Sequence, residues 1–104
     1  MDYTDRLRCL AFNDSSLLDE ATLKPTELDP KTLALVRLAA LVAVGGAEPT
    51  YGAEVDDAVS AGATSGEIVD VLAATIPIVG LPSAVAAAPK LALALGFDPF
   101  EPER

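Results

Sequence analysis

The segment DPKTLALVRLAALVAVGG, residues 29–46, constrains the fold more than any other part of the chain. Asp29-Pro30 is typical of a helix start, because aspartate accepts hydrogen bonds from free backbone N–H groups and proline fits the first helical turn. The glycine pair Gly45-Gly46 indicates the end of the helix near Val44. Apolar residues lie on every side of this helix, which predicts a helix buried all round instead of one with a solvated face.

The chain is short for a helix that is buried on all sides. Its 104 residues form one domain at most and bury a modest fraction of their own surface. Yet 51% of the residues are hydrophobic, mostly Ala, Leu and Val, and only 5% are aromatic. We therefore expect the apolar helix faces to pack between subunits of a homo-oligomer.

Capping signals predict two helices after the apolar segment. Pro49 starts the first of them, and Gly62 is a suitable residue to end it. Thr64 and Glu67 then form a T-x-x-E capping box at the start of the second helix. Pro77 should kink or end that second helix, because a proline inside a helix removes a backbone hydrogen bond.

The N-terminal part has a weaker pattern. The segment from Tyr3 to Phe12 is weakly helical at best. The polar residues 13–16 offer capping oxygens for a helix through SLLDEATL. Lys24-Pro25 should end this helix, because the residue before a proline avoids the α region.

The C-terminal part contains a break and then a last helix. Gly80 and Pro82 interrupt the chain, and an Ala-rich helix should run from Ser83 to Leu95, where Gly96 closes it. Valine and isoleucine recur at spacings of three and four residues instead of alternating, which argues against strands. The sequence thus predicts an all-α, single-domain bundle of about five to six helices, with an N-terminal helical segment 1–27, a core 28–96 and an irregular tail 97–104.

Charge excludes several classes of function. Sixteen acidic residues against seven basic ones give a net charge of −9. Nucleic acids and anionic membrane surfaces attract basic proteins, so we expect neither as a partner.

The longest apolar stretch, LALVRLAALVAV, is shorter than the roughly 20 residues of a membrane-spanning helix. The N-terminus lacks the apolar segment of a signal peptide.

The single cysteine, Cys9, excludes a disulfide within the chain, which fits a cytoplasmic protein. Its neighbours Arg6 and Arg8 could favour a reactive thiolate. The alternative interpretation is a small apolar residue in an N-terminal segment. The sequence leaves both open.

The residues before and after the Gly45-Gly46 pair carry a resemblance to a known family. LDPKTLALVRLAALVAVGG followed by YGAEVDDAVSAGATSGEIVDVLAATIPIVGLPSAVAAAPKLALALG resembles the carboxymuconolactone decarboxylase and alkylhydroperoxidase-D-like family. The most specific part is AVSAGATSGEIVDVL with the Gly-Leu-Pro break after it. The resemblance spans roughly residues 28–96 and implies an alkylhydroperoxidase-D-like, all-helical fold. It also implies trimers, hexamers or related rings, so we expect a homotrimer or homohexamer.

The resemblance also shows which family residues are missing. Its peroxidase-like members use a Cys-x-x-Cys pair, a His four residues after the second Cys, and a relay Glu on the preceding helix. In this chain the Cys positions fall near Ala47 and Thr50, the His position at Glu54, and the relay position near Ala34 or Leu35. A dithiol cycle needs a thiolate and a resolving thiol, so peroxidase activity of this type is not expected.

Glu54 and Tyr51 are the candidate catalytic residues. Decarboxylase-type members of the family use the helix-borne His as a proton carrier, and Glu54 stands at that position. A carboxylate in an apolar pocket can act as an acid or a base. Tyr51, one turn earlier, could donate its hydroxyl at the same point. Alternatively, Glu54 is solvated beside Asp56 and Asp57, and Tyr51 is a core aromatic.

Arg37 is the candidate substrate-binding residue. It is the only charged residue within LALVRLAALVAV, and a buried arginine needs a partner. It could anchor a substrate carboxylate, as the acidic lactone substrates of the family imply. It could instead pair with Glu54 or Asp57, or reach a subunit rim.

Two hypotheses for function therefore remain open. The first is a lyase or isomerase that moves a proton on a small carboxylated ligand, using Glu54, Tyr51 and Arg37. The second is a catalytically degenerate member, retained as an oligomeric binding or scaffold protein. The chain has no imidazole, no redox pair and no cluster of soft metal ligands. We accordingly expect no cofactor and no metal.

Overall fold

The computed structural model describes residues 2–14, 19, 24–25, 27–96 and 98. These residues form five helices and no strand, so the predicted all-α fold is confirmed. None of the helices in this part of the chain combines the length and the apolarity needed to cross a lipid bilayer. The helices are α1 (Tyr3–Ala11), α2 (Pro30–Val44), α3 (Glu48–Ser60), α4 (Ser65–Val79) and α5 (Leu81–Ala94).

The bounds of α2 agree with the sequence prediction. The Asp29 carboxylate accepts a hydrogen bond from the backbone N–H of Thr32 at 2.7 Å, and Pro30 occupies the first turn. At the other end Gly45 takes a φ of +82° and donates its N–H to the carbonyl of Leu41 at 2.7 Å. The positive φ ends the helix, because residues with a Cβ rarely adopt it.

The capping box at the start of α4 is also confirmed. The Thr64 N–H donates to the Glu67 carboxylate at 3.0 Å, and the Glu67 N–H donates to the Thr64 hydroxyl at 3.1 Å. The Lys31 ammonium lies 3.0 Å from the other carboxylate oxygen of Glu67. This ion pair joins the first turn of α2 to the first turn of α4.

Pro77 does not end helix α4, which was one of the two outcomes expected for it. The helix continues through Pro77 to Val79 and ends at Gly80, which has a φ of +87°. A proline removes only its own N–H bond, which here would reach the carbonyl of Ala73, and after it the Gly80 N–H still donates to the carbonyl of Ile76 at 2.8 Å. Helix α5 then begins at Leu81, two residues earlier than predicted.

The N-terminal segment forms a regular helix, contrary to its weak pattern. The Asp2 carboxylate accepts a hydrogen bond from the Asp5 N–H at 2.8 Å, and α1 extends over nine residues. An N-terminal cap of this kind stabilises a short helix by about 1 kcal/mol. The predicted helix through SLLDEATL falls on residues 16–23, of which the structure describes only Asp19, and the tail beyond Gly96 is described only at Asp98.

The core lies between α2, α3, α4 and α5, which pack against one another. Only one stripe of α2 is buried within the chain, and Val44 is 83% exposed. The expectation that α2 is buried all round is therefore wrong for the single chain, because its partner helices cover one side of it. The largest fully buried side chains are Tyr51, Leu38, Ile68, Leu91 and Val55.

Because of the capping box, we expect the stability of the fold to depend on pH in the acid range. The hydrogen bond from the Thr64 backbone and the one from Lys31 hold the pKa of Glu67 below its ordinary value of 4.5. A carboxylate with a lowered pKa stabilises the fold above its unfolded pKa, and this contribution is lost as the pH falls through the folded pKa. We expect Glu67→Gln to lower the unfolding temperature at neutral pH. The difference from the wild type should shrink below about pH 4.5.

Circular dichroism melts across this pH range measure the effect. Asp70→Asn is the matched control, because Asp70 is exposed on the same helix and forms no hydrogen bond or ion pair with another described residue. The control should follow the wild-type curve. Parallel curves for Glu67→Gln and the wild type over the whole range would contradict the assignment.

Candidate functional site

A groove between α2 and α3 is the candidate site. Its volume is about 370 Å³. One wall comes from the N-terminal half of α2 and the other from the C-terminal half of α3. The residues that line it are Pro30, Leu33, Ala34, Arg37, Glu54, Asp57, Ser60 and Ala61.

The antiparallel packing of α2 and α3 creates these two walls. Only residues 45–47 separate the helices, and a connection this short makes two helices run side by side in opposite directions. Ala34 and Arg37 are three residues apart on α2, and Glu54 and Asp57 are three residues apart on α3. This spacing places each pair on a single helix face. The groove therefore follows from helix periodicity and a short turn.

Glu54 contributes the most unusual atom of the groove. Its side chain is half-buried, and its Oε2 atom has less than 1 Å² exposed and no hydrogen-bond partner among the described residues. A buried acceptor without a donor costs about 1–3 kcal/mol, and native structures contain few of them. A ligand that donates a hydrogen bond here would remove this cost.

Arg37 contributes the positive charge of the groove. Its residue is exposed in the single chain, and it forms no ion pair within 4.0 Å of a described carboxylate. The alternative in which Arg37 pairs with Glu54 or Asp57 is therefore wrong for this structure. The planar guanidinium keeps its five N–H donors available for an anion.

Tyr51 does not line this groove, which corrects the expectation that it meets Glu54 at one point. It is 1% exposed, and its hydroxyl donates to the carbonyl of Leu41 at 3.4 Å. Burial raises the pKa of Tyr51. The physical reason is the direction of the core stripe on α3: Tyr51 lies on it with Val55, and Glu54 is rotated away from it toward α2.

The groove coincides with positions that the family resemblance singled out. Glu54, at the histidine position, and Ala34, one of the two residues near the relay position, face it from opposite walls, whereas Leu35, the other, does not line it. Ala47 and Thr50, at the cysteine positions, do not line it. Cys9 is buried in α1 and does not line the groove either. Among the residues that the structure describes, no three Cys, Asp or Glu side chains gather as metal ligands would.

Lys90 is the residue that sequence reasoning missed. Its ammonium donates to the carbonyl of Gly46 at 2.6 Å and lies 5.9 Å from the centre of the Tyr51 ring. It borders a second cavity, of about 150 Å³, formed by the end of α2, Tyr51 and one face of α5. The signal in the sequence was available, because Lys90 is the only charged residue in LPSAVAAAPKLALA.

Comparison with known proteins supports the family resemblance and the all-helical fold. The model of the Carboxymuconolactone decarboxylase family matches residues 13–92, which is well over half of the chain. No match was found among curated proteins or among solved structures. The extent of the family match, together with the all-helical fold, shows that the chain belongs to the carboxymuconolactone decarboxylase family.

Proposed function

We propose that the groove between α2 and α3 binds a small carboxylated compound and transfers a proton on it, as a lyase or isomerase without a cofactor. One observation carries this proposal. Arg37 and Glu54 border the same groove, and the Oε2 atom of Glu54 is buried without a hydrogen-bond donor among the described residues. The groove thus combines an available cation with an unsatisfied carboxylate oxygen.

Arg37 holds the anionic end of the ligand in this proposal. A guanidinium binds a carboxylate through two parallel N–H···O bonds, which fix the orientation of the ligand as well as its position. The side chains of Leu33 and Ala34 supply an apolar wall beside it. A volume of about 370 Å³ holds roughly a dozen water-sized groups, which suits a small lactone acid or dicarboxylate.

Glu54 moves the proton. Its carboxylate takes a proton from the carbon next to a carbonyl group of the bound compound and becomes a neutral carboxyl group. The electron pair of the broken C–H bond passes to the carbonyl oxygen, and the positive charge of Arg37 favours this anion. The proton then returns from Glu54 to the same carbon or to a conjugated one. Tyr51 has no part in these steps, because its hydroxyl contacts Leu41.

Deuterium exchange tests the proposal. We expect the protein to accelerate hydrogen–deuterium exchange at the carbon next to the carbonyl of a γ-lactone carboxylic acid in D₂O, as followed by proton NMR. Glu54→Gln should slow this exchange by about 10²-fold or more, because general base catalysis contributes about that much. Arg37→Ala should weaken binding by about tenfold or more, because it removes a charge-assisted contact.

Glu48→Gln is the matched control. Glu48 is an exposed carboxylate on the same helix as Glu54 and does not line the groove. The control should exchange at the wild-type rate. Exchange that is equally fast in Glu54→Gln, or binding that Arg37→Ala leaves unchanged, would refute the proposed roles.

A second candidate function, an oligomeric scaffold without catalysis, is favoured by the exposed apolar residues of α4 and α5. Ile78 is 87% exposed, and Leu81 and Val85 are 60% and 61% exposed. Side chains of this kind, close together around the α4–α5 turn, are typical of a surface that another protein covers. We propose that a second copy of the chain covers them, within a homotrimer or homohexamer.

Light scattering tests this assembly. We expect a mass of at least three chains at micromolar concentration. The double variant Ile78→Glu, Val85→Glu should reduce the mass toward that of one chain, because it places charges in an apolar contact. A folded wild-type monomer at this concentration would contradict the proposal. An oligomer that shows no exchange with any lactone acid would favour the scaffold over the enzyme.

A further inference from the structure

The second cavity differs from the groove in the residues that line it. It lies between the C-terminal end of α2, the ring of Tyr51 and one face of α5, and it is separate from the groove of Arg37 and Glu54. Lys90 and Ser83 are polar side chains of its wall, two helical turns apart on the same face of α5. The hydroxyl of Tyr51 is already used, because it donates to the carbonyl of Leu41. The apolar part of its wall comes from Val42, Ala43, Val44, Ala86 and Ala87.

Lys90 is half-buried and has no carboxylate partner. The chain contains sixteen acidic residues, but no described carboxylate lies within 4.0 Å of the Lys90 ammonium. One of its N–H groups donates to the carbonyl of Gly46 at 2.6 Å. The ring of Tyr51 lies 5.9 Å away and offers a weak attraction. The positive charge is therefore not neutralised within the described chain.

The charge and the wall together define the ligand. From Lys90 and Ser83 we infer that this cavity binds a short aliphatic monocarboxylate, with its carboxylate on the ammonium and the hydroxyl and its alkyl chain against the alanine and valine wall. A neutral carbonyl compound would leave the lysine charge uncompensated.

The size of the cavity limits the length of the alkyl chain. A volume of about 150 Å³ holds roughly five water-sized groups, which matches propionate or butyrate. The groove, at about 370 Å³, offers more than twice this volume, so the two sites differ in size as well as in the cation that would hold the anion.

Tyrosine fluorescence measures the binding. The chain has two tyrosines and no tryptophan, so Tyr51 is the only strong emitter in a Tyr3→Phe background. We expect sodium butyrate, titrated against sodium chloride at constant ionic strength, to change the emission of Tyr51 with saturation. Butanol, which has the same alkyl chain without the charge, should bind at least about tenfold more weakly.

Lys90→Met removes the charge and retains an unbranched apolar side chain. We expect it to weaken butyrate binding by about tenfold or more, while Ser83→Ala weakens it by a smaller factor. Lys31→Met removes one positive charge elsewhere and should bind butyrate as the wild type does. Tyr51, whose emission reports the binding, lines the second cavity and not the groove, so the result does not depend on the proposed function of the groove.

A wild-type measurement covers the case in which Lys90→Met does not fold. The proton and carbon NMR signals of the Lys90 side chain should shift with the same butyrate dependence as the emission of Tyr51. The inference is overturned if these signals do not move, if butanol binds as tightly as butyrate, or if folded Lys90→Met retains wild-type affinity. It is also overturned if butyrate produces no saturable change.

Discussion

The burial of Tyr51 is the interaction on which the rest of the structure depends. Its ring is the largest fully buried side chain, and its hydroxyl reaches the carbonyl of Leu41 on α2. With Val55 on the same stripe, it fixes the rotation of α3 about its own axis. That rotation turns Glu54 away from the core and into the groove. The same ring forms one side of the cavity beside Lys90. One buried aromatic residue therefore sets the geometry of both candidate sites.

Electrostatics distinguishes these two sites from the rest of the acidic surface. In a chain with a net charge of −9, a basic side chain is expected to form an ion pair with a carboxylate, as Lys31 does with Glu67. Arg37 and Lys90 have no such partner among the described residues. Each lies on a helix whose neighbouring residues are almost all apolar. Glu54 and Asp57 line the groove with Arg37, but neither carboxylate lies within 4.0 Å of its guanidinium. Each cation consequently remains available to a small anion.

Local signals predicted the fold better than they predicted the site. The start of α2, its glycine end and the capping box of α4 were predictable, because each depends on residues within one turn of the chain. The continuation of α4 through Pro77 was not predictable, because a proline removes one backbone hydrogen bond and the packing of the helix decides whether it continues. The sequence left open whether Arg37 and Glu54 share a pocket, because an all-apolar helix gives Arg37 no preferred direction; in the structure both line one groove. The inward direction of Tyr51 and the position of Lys90 depend on packing between distant segments, for which one sequence carries little information.

The central claim is that Arg37 and Glu54 hold one ligand between α2 and α3. A crystal structure of the protein grown with a saturating γ-lactone carboxylic acid tests it most directly. The account predicts electron density for the ligand in this groove, with its carboxylate on the Arg37 guanidinium and a carbonyl-bearing carbon facing the Glu54 carboxylate. A groove filled by a side chain of a neighbouring subunit, or a ligand bound only elsewhere while Arg37 contacts solvent, would contradict it.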